Sequence, residues 1–363
     1  MKKILVIAVA AMMAAMSAQA QKLTVVDSEG LPIPYATIMT PQAEMIGTTN
    51  LDGVFDTEGV KDLVVTHVAF KSKILKMGSG DAKITLDDAD FDMPELTVQP
   101  KPYVYVQTYY RLYYYTAKDG IGYYRAGLTD NVYDPAKKKM SSNTSHTAKA
   151  KYGILKTILG ALGGQFDKTS HLSPNKLENR ILSHGKVSQT KITDVGGGKK
   201  RISDFKGTVG SITDDMDDHL RRFAYDTHQM HVHRLEAQGD EKALEKQRKR
   251  DARKKNREES DFCIYHIDND GNYAPEDFVM MQYLDSHDDI MDDSISDHTI
   301  LAIQVFATDR AYVTKDELKE RKKANKMKLN YANIRQFERE HNIPPLADAI
   351  QQKLNELWKS KEE

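Results

Sequence analysis

The chain contains 363 residues, and its 52 Lys and Arg side chains almost balance its 53 Asp and Glu side chains, so the formal net charge is −1. A charge so close to zero gives no general attraction to nucleic acid or to anionic lipid, and we expect no nucleic-acid partner. The single cysteine, Cys263, excludes an intramolecular disulfide. Stability must therefore come from buried cores, and the length is enough for two domains.

Residues 1–20 have the pattern of a secretory signal peptide. Two lysines follow the first methionine, an apolar run extends from Ile4 to Met16, and Ala18-Gln19-Ala20 matches the small-x-small rule for cleavage. The apolar run is too short to span a bilayer comfortably, and no later segment approaches a transmembrane length. The sequence predicts cleavage after Ala20 and an exported protein in the periplasm or at the cell surface. Removal of this segment, which carries two lysines and no acidic residue, changes the formal charge from −1 to −3.

Residues 21–98 contain short apolar stretches separated by turns. The stretches KLTVVD, YATIMT, MIGTT, GVFDT, DLVVTHVAF, KILKM and KITL alternate with clusters of Gly, Pro, Asp and Asn. This spacing is typical of an antiparallel β-sandwich. In LVVTHVAF, apolar residues fall on both faces of the predicted strand, which indicates a central position in its sheet.

Three segments of this region, VVDSEGLPIPYATIMT, GTTNLDGVFDTEG and LVVTHVAFKSKILKM, resemble the carboxypeptidase regulatory-like module. The family pattern places D-x-x-G-x-P-x-x-x-A before a G-T-T-x-x-D-G-x-F hairpin. The matching residues are Asp27, Gly30, Pro32, Ala36, Gly47, Thr48, Thr49, Asp52, Gly53 and Phe55. The chain departs from the pattern at Ala69-Phe70, where the family usually has a glycine before the aromatic residue.

This resemblance covers about a fifth of the chain and implies a transthyretin-like β-sandwich with no catalytic role. Modules of this kind are common at the N-termini of exported and outer-membrane proteins of Gram-negative bacteria. The resemblance therefore implies an architecture and a location, and it implies no reaction.

Residues 99–363 are interpreted as an α+β domain of unknown type. Hairpins are predicted around Asp119-Gly120, around the triple glycine at 196–198 and around Asp270-Gly271. The expected fold class of the chain is therefore mainly β with α+β. It comprises an N-terminal antiparallel β-sandwich followed by an α+β domain with C-terminal helices.

Two charged or amphipathic segments complete this second region. The charged run at 240–260 is predicted to be an exposed helix or a disordered insertion between two strands. A helical tail is predicted over 315–360, beginning with a capping-box pattern at Thr314 and Glu317. Its last helix has one apolar stripe, which we expect to pack against the preceding sheet and which consists of Leu346, Ile350, Leu354 and Leu357, with Trp358 beside it.

Nine tyrosines lie between Tyr103 and Tyr124, and they have two interpretations. Tyrosine favours strands, and aromatic cross-strand pairs stabilise sheets, so the pattern favours packing within a sheet. Alternatively, Tyr105, Tyr109 and Tyr113, which share one face of the predicted strand, form an exposed platform that binds a glycan or a peptide.

The segment YDTHQMHVHRLE holds the densest set of potential metal ligands, which we call the histidine set: His228, His231, His233 and Glu236. In a strand, His231 and His233 would share a face. In a helix, His228 and His231 would lie one turn apart, as would His233 and Glu236. Either geometry could place two imidazoles on Zn²⁺, which needs three or four ligands. The alternative is an amphipathic surface segment with no metal.

No G-x-S-x-G or H-E-x-x-H motif is present, and Cys263 is flanked by apolar residues, as is typical of a small buried hydrophobe. We therefore predict a cell-envelope binding or scaffolding protein that is not an enzyme and needs no cofactor. Its expected partner is an envelope protein such as an outer-membrane receptor. Two alternatives stay open: a metal-dependent hydrolase that uses the histidine set with Zn²⁺, and a glycan-binding protein that uses the region from Tyr103 to Tyr124.

Overall fold

The structure is a computed structural model that describes residues 21–42, 45–57, 59–78, 80–89, 101–151, 170–173, 175–291, 294–324, 329–330 and 333–359. The signal peptide predicted for residues 1–20 and the domain boundary predicted at residue 98 lie outside the described residues. Seventeen strands and six α-helices lie within the described part. The mainly β fold class with additional helices is therefore confirmed.

Seven short strands form the N-terminal part of the fold. They are β1 (Lys22–Val26), β2 (Thr37–Met39), β3 (Met45–Thr48), β4 (Val54–Asp56), β5 (Asp62–His67), β6 (Phe70–Lys76) and β7 (Ala82–Thr85). One sheet has the order β4-β1-β7 and the other has the order β3-β2-β5-β6, so the LVVTH strand is central, as predicted. All pairings are antiparallel except that of β1 with β7. Buried side chains from both sheets, including Leu23, Ile38 and Val65, share one core.

Several residues that carry the family resemblance hold turns in this part of the structure. The Asp27 carboxylate accepts hydrogen bonds from the backbone N–H groups of Glu29 (3.1 Å) and Leu31 (2.8 Å), which fixes the first turn. Thr49 is buried, and its Oγ1 donates to the carbonyl of Ile33 at 2.8 Å. Gly53 has φ +70°, and a Cβ there would lie 2.5 Å from the Val25 carbonyl oxygen, so only glycine fits. These contacts give the motif a structural role.

The other ten strands form one antiparallel sheet. They are β8 (Tyr103–Thr116), β9 (Gly120–Asp134), β10 (Lys139–Lys151), β11 (Lys191–Gly196), β12 (Lys199–Ser203), β13 (Thr208–Asp215), β14 (Leu220–Asp226), β15 (Lys254–His266), β16 (Phe278–Met291) and β17 (Ser294–Val313). The strand order is β10-β9-β8-β17-β16-β15-β14-β13-β12-β11. Two runs of sequential strands are therefore joined where β8 pairs with β17. The three predicted hairpins connect β8 with β9, β11 with β12, and β15 with β16.

Six helices pack around this sheet: α1 (Leu177–His184), α2 (Thr227–Gln238), α3 (Glu241–Asp251), α4 (Lys315–Ala324), α5 (Ile334–Glu340) and α6 (Asp348–Lys359). The first face of the sheet shares a core with the N-terminal strands and with α5 and α6. The second face, which includes Phe223, Cys263 and Tyr265, packs against Leu177 and Ile181 of α1. No helix within the described ranges is long and apolar enough to cross a membrane.

The N-terminal sheets contact the first face of the ten-stranded sheet directly. The His67 ring lies 4.6 Å from the Phe262 ring and 5.3 Å from the Phe70 ring, measured between centroids. Its Nδ1 accepts a hydrogen bond from the Ala69 N–H, and its buried Nε2 has no partner among the described residues. Burial lowers the pKa of His67 to about 3, so the ring is neutral at neutral pH.

The helical tail follows the prediction closely. Thr314 and Glu317 form the capping box, with the Thr314 N–H donating to Glu317 at 2.7 Å and the Glu317 N–H donating to Thr314 Oγ1 at 3.3 Å. The apolar stripe of the last helix is buried, and this helix packs on β9. The prediction for residues 240–260 needs a correction, because the helix ends at Asp251 and Lys254–Ser260 already belong to β15. This charged stretch is a strand because it pairs with β16, with a register shift between Lys255 and Glu258.

Candidate functional site

The histidine set lies on helix α2, and this settles which of the two predicted geometries applies. Asp226 caps the helix by accepting a hydrogen bond from the Gln229 N–H at 2.7 Å, and Gly239 ends it with φ +67°. His228 and His231 are therefore one turn apart, as are His233 and Glu236.

The structure does not bring the four side chains of the histidine set together. His233 Nδ1 contacts Asp204 Oδ2 at 2.7 Å, and Glu236 forms an ion pair with Lys206 at 2.6 Å. Both partners come from the turn between β12 and β13, which docks on one side of α2. His228 instead faces Asp251, with Nε2 3.4 Å from its Oδ2.

The zinc interpretation consequently loses its proposed ligand set. Within the described ranges, no group of three or more His, Cys, Asp or Glu side chains is arranged to hold a metal ion. His231, the remaining member, contacts Arg234 instead, with 3.1 Å between His231 Nδ1 and the guanidinium. The spacing in the sequence was helical, but it distributes the four side chains among different partners.

The tyrosine platform also needs a correction, because its three residues are interior. Tyr105 and Tyr109 are 0% exposed and Tyr113 is 7% exposed. Strand β8 is paired on both edges, with β9 and with β17, and elements pack on both of its faces. The rings therefore cannot present a face to a glycan or a peptide, and the alternative of packing within the sheet describes them.

Tyr109 belongs to a buried polar network that fixes the C-terminal tail, which we call the Arg111 network. Arg111 forms an ion pair with Glu338 of α5 at 3.2 Å and donates to the Pro344 carbonyl at 2.7 Å and to Gln304 Oε1 at 2.6 Å. The Tyr109 hydroxyl donates to the same Glu338 carboxylate at 2.8 Å. Both members of the ion pair are almost fully buried, so these bonds replace the water that each charge has lost.

A cavity of about 270 Å³ lies on the opposite face of the sheet, between α1 and α2, and we call it the Asp261 cavity. Tyr225 of β14 and Asp261 of β15, which are register partners, supply the sheet residues of its lining. Helix α1 contributes Arg180 among other residues, and helix α2 contributes His231 and Arg234.

Asp261 is the distinctive group of this cavity. Its Oδ2 accepts a hydrogen bond from the Tyr225 hydroxyl at 2.9 Å, whereas its Oδ1 is buried without a hydrogen-bond partner among the described residues. Burial raises the pKa of Asp261 to about 6, and the Tyr225 bond opposes that shift. The carboxyl group is therefore largely ionised at pH 7 while one of its oxygens is buried without a donor among the described residues, and such an arrangement lowers the stability of the fold.

Arg234 gives the cavity a positive charge that the described part of the chain does not neutralise. It is half-buried and forms no ion pair with any described carboxylate. Its contact is with His231, whose pKa is lowered by burial and by the Arg234 charge itself, so the imidazole is neutral at pH 7. The cavity thus combines an incompletely paired carboxylate with an incompletely paired guanidinium.

A larger cleft of about 610 Å³ lies elsewhere, between edge strand β6 and the segment that precedes α6. Its walls include Phe70, Ile343 and Leu346, and Ile74 on β6 is 72% exposed. None of its described lining residues has a buried polar atom that lacks a partner. The cleft therefore offers apolar surface without the chemistry that the Asp261 cavity shows.

Comparison with known proteins adds no assignment. No family model matches the chain, and no curated protein matches it. A solved structure of lipovitellin, concerned with lipid–protein interactions, is similar over 59% of this chain and 26% of that chain, at 6% identity and a TM-score of 0.25. This chain spans about a quarter of that protein's length, and a similarity so low supports no conclusion about fold or function.

Sequence reasoning included His231 but missed Asp261, Arg180 and Arg234. One signal was available, since Asp261 lies on the same strand face as Cys263 and Tyr265, both of which are buried. An acidic residue in an otherwise apolar alternation indicates either a buried partner or a site. The arginines have no comparable signal, because a charged residue on an amphipathic helix is expected at the surface.

Proposed function

We propose that this protein is an exported cell-envelope binding protein without catalytic activity, and that the Asp261 cavity is its binding site. The observation that carries the proposal is the presence, in one cavity, of a carboxylate with one buried oxygen that has no hydrogen-bond partner and of a guanidinium that forms no ion pair, both judged among the described residues. Unsatisfied polar groups are retained where a ligand completes them, since each otherwise reduces stability.

The lining of the cavity favours binding over covalent chemistry. Among the described residues that line it, none is Ser, Cys or Lys, and the Thr227 hydroxyl donates to the Glu259 carbonyl at 3.0 Å. Cys263 lies two residues from Asp261, but it is buried, and burial raises the pKa of its thiol well above the usual value. The Tyr225 hydroxyl is held as a donor to Asp261, and its pKa is likewise raised by burial. A reactive nucleophile needs the opposite shift.

Export and the envelope partner belong to the same proposal. The signal-peptide pattern of residues 1–20 and the resemblance of residues 22–98 to the carboxypeptidase regulatory-like module support a location in the periplasm or at the cell surface. The molecular mass of the protein recovered from the envelope fraction tests export. Cleavage after Ala20 should give the mass of a chain that begins at Gln21. Recovery of the uncleaved chain from the cytoplasm would contradict it.

Crosslinking in intact cells followed by affinity capture tests the expected partner, an envelope protein such as an outer-membrane receptor. Enrichment of one envelope protein over a mock-tagged control is the expected result. Capture of cytoplasmic proteins alone would remove the scaffolding role.

Native mass spectrometry tests the binding role. Protein purified without denaturation is expected to carry a small molecule, or to unfold at a higher temperature when the small-molecule fraction of the producing cells is added. Asp261→Asn should lose this effect, whereas Arg248→Gln, a change at an exposed position on α3, should retain it. If neither measurement detects a ligand for the unaltered protein, the binding proposal is wrong.

A further inference from the structure

We infer that the Asp261 cavity binds a small molecule carrying both an ammonium group and a carboxylate, of the size of an amino acid with an apolar side chain. The inference rests on the proposed binding function and specifies its ligand. Three features of the cavity, taken in turn, lead to this class of molecule.

The carboxylate of the ligand is assigned to Arg234. A guanidinium has five N–H donors in a planar fork, and one contact to the neutral His231 ring leaves several of them for a ligand. Two parallel N–H···O bonds to a carboxylate are the arrangement that this fork fits best. Arg180, on the facing helix, adds positive charge near the site, since it lowers the pKa of Asp261.

The ammonium group is assigned to Asp261. Tyr225 donates to Oδ2 and Oδ1 has no donor among the described residues, so the Asp261 carboxylate, which lines the cavity, keeps acceptor capacity and a negative charge there. A charged N–H donor forms a stronger bond with an ionised carboxylate than a neutral donor does. A ligand with only an anionic group would place its charge beside the Asp261 carboxylate, and a ligand with only a cationic group would place its charge beside Arg234.

The apolar side chain is assigned to the remaining part of the lining. Leu177 and Ile181 of α1 and Met230 of α2 line the cavity, and methionine adapts to irregular shapes. The volume of about 270 Å³ lies just below the range of sites for drug-sized ligands, roughly 300–1,000 Å³. This size fits one amino acid and is too small for an oligosaccharide.

Isothermal titration calorimetry of the mature chain with three probes tests the inference. L-leucine carries all three features, isoamylamine lacks the carboxylate, and isocaproate lacks the ammonium group. L-leucine should bind, and each of the other two should bind at least about tenfold more weakly. Equal binding of isocaproate would overturn the role of Asp261, and equal binding of isoamylamine would overturn the role of Arg234.

Two variants and a control locate the binding. Asp261→Asn keeps the shape and the acceptor for Tyr225 but loses the charge, and Arg234→Gln loses the guanidinium on a partly exposed helix. Each should weaken L-leucine binding by roughly tenfold to a hundredfold. Arg248→Gln on α3 should leave it unchanged. A single cooperative thermal transition at a melting temperature no lower than that of the unaltered protein would show that each variant is folded, and unchanged affinity in both folded variants would overturn the inference.

The pH dependence gives a second readout. The pKa of Asp261 is influenced by Tyr225 and Glu259 from the sheet and by Arg180 from α1. The other titratable or charged residues in the lining are His184 of α1 and the His231–Arg234 pair of α2. Because an ammonium group prefers the ionised carboxylate, L-leucine binding should strengthen between pH 5 and about 7, around the Asp261 pKa of about 6. Asp261→Asn should abolish this dependence.

The experiments distinguish a wrong ligand class from the absence of a binding function. If L-leucine, isoamylamine and isocaproate all fail to bind, the ligand class is wrong. A molecule of another class found by native mass spectrometry would then leave the binding function intact, whereas the absence of any bound molecule would remove both.

Discussion

Two polar clusters lie on opposite faces of the ten-stranded sheet, and they differ in completeness. In the Arg111 network, the guanidinium donates to a carboxylate, a backbone carbonyl and a side-chain amide, all from the same chain. In the Asp261 cavity, one carboxylate oxygen lacks a donor and Arg234 lacks a carboxylate partner within the described residues. Both clusters bury charge, but only the first satisfies it.

We interpret this difference as one between a cluster that stabilises the fold and a cluster that binds a ligand. A buried charge that the chain pairs completely serves the fold, because loss of either member leaves the other uncompensated. A buried charge that the chain pairs only partly lowers stability and is expected where a ligand completes it.

Removal of the Glu338 carboxylate should strongly destabilise the fold. Glu338→Ala leaves Arg111 buried without its counter-charge and removes the acceptor for Tyr109. We expect the free energy of unfolding in urea to fall by about 3–5 kcal/mol. A loss below about 1 kcal/mol would show that the network does not hold the C-terminal tail, and the comparison would then fail.

Acid should destabilise the contact between the N-terminal sheets and the large sheet through His67. Its folded-state pKa of about 3 lies below the unfolded value of about 6.5. As the pH falls below about 6.5, the unfolded state binds a proton that the folded state does not, so the stability contributed by the neutral ring is lost. Between pH 7 and pH 4 the loss should be roughly 3 kcal/mol. It should be absent in His67→Gln, measured by urea unfolding at both pH values, and an equal pH dependence in the two proteins would contradict this.

Asp261→Asn should stabilise the protein while it removes ligand binding. Because the folded-state pKa of about 6 is higher than the unfolded value of about 3.9, ionisation opposes folding, fully so above pH 6 and less as the pH falls toward 3.9. The variant should unfold at a higher temperature than the unaltered protein at pH 8, with a gain of order 1 kcal/mol. At pH 4 the gain should nearly disappear. If the variant were less stable than the unaltered protein at pH 8, the Asp261 carboxylate would stabilise the fold, as the Arg111 network does.

An exposed ion pair should contribute almost nothing. Glu356 lies 3.3 Å from Lys353 on α6, and both side chains are about half exposed. Glu356→Ala should change the free energy of unfolding by less than about 0.5 kcal/mol in the same urea experiment. A loss as large as that of Glu338→Ala would mean that burial does not distinguish the two carboxylates.

The elements that the sequence predicts well are those with a local cause. The capping box at Thr314 and the apolar stripe of α6 depend on spacings of three and four residues, and both are present. The turns at Asp27 and Gly53 depend on side-chain acceptors and on positive φ, which residue types indicate directly.

The features that sequence reasoning missed depend on distant partners. The alternation around Tyr109 predicts a strand, but its burial requires β17 and Glu338, which come much later in the chain. The helical spacing of His233 and Glu236 is visible, but their partners Asp204 and Lys206 belong to a separate turn. The sequence shows that Asp261 is an acidic residue in an apolar strand. It does not show that α1 and α2 cover this residue, because the helices come from other parts of the chain.

The pairing of β8 with β17 also determines the order in which the chain can fold. Strand β8 can pair early with β9, because only a short turn separates them. Its other edge stays open until β17 arrives, and Arg111 has no counter-charge until Glu338 follows. A chain delivered from its N-terminus therefore exposes an apolar, hydrogen-bonding strand edge until almost all of it has emerged. The topology therefore predicts that the open edge of β8 needs protection while the chain is made. Either folding of β8 is delayed until β17 is present, or another protein covers the edge.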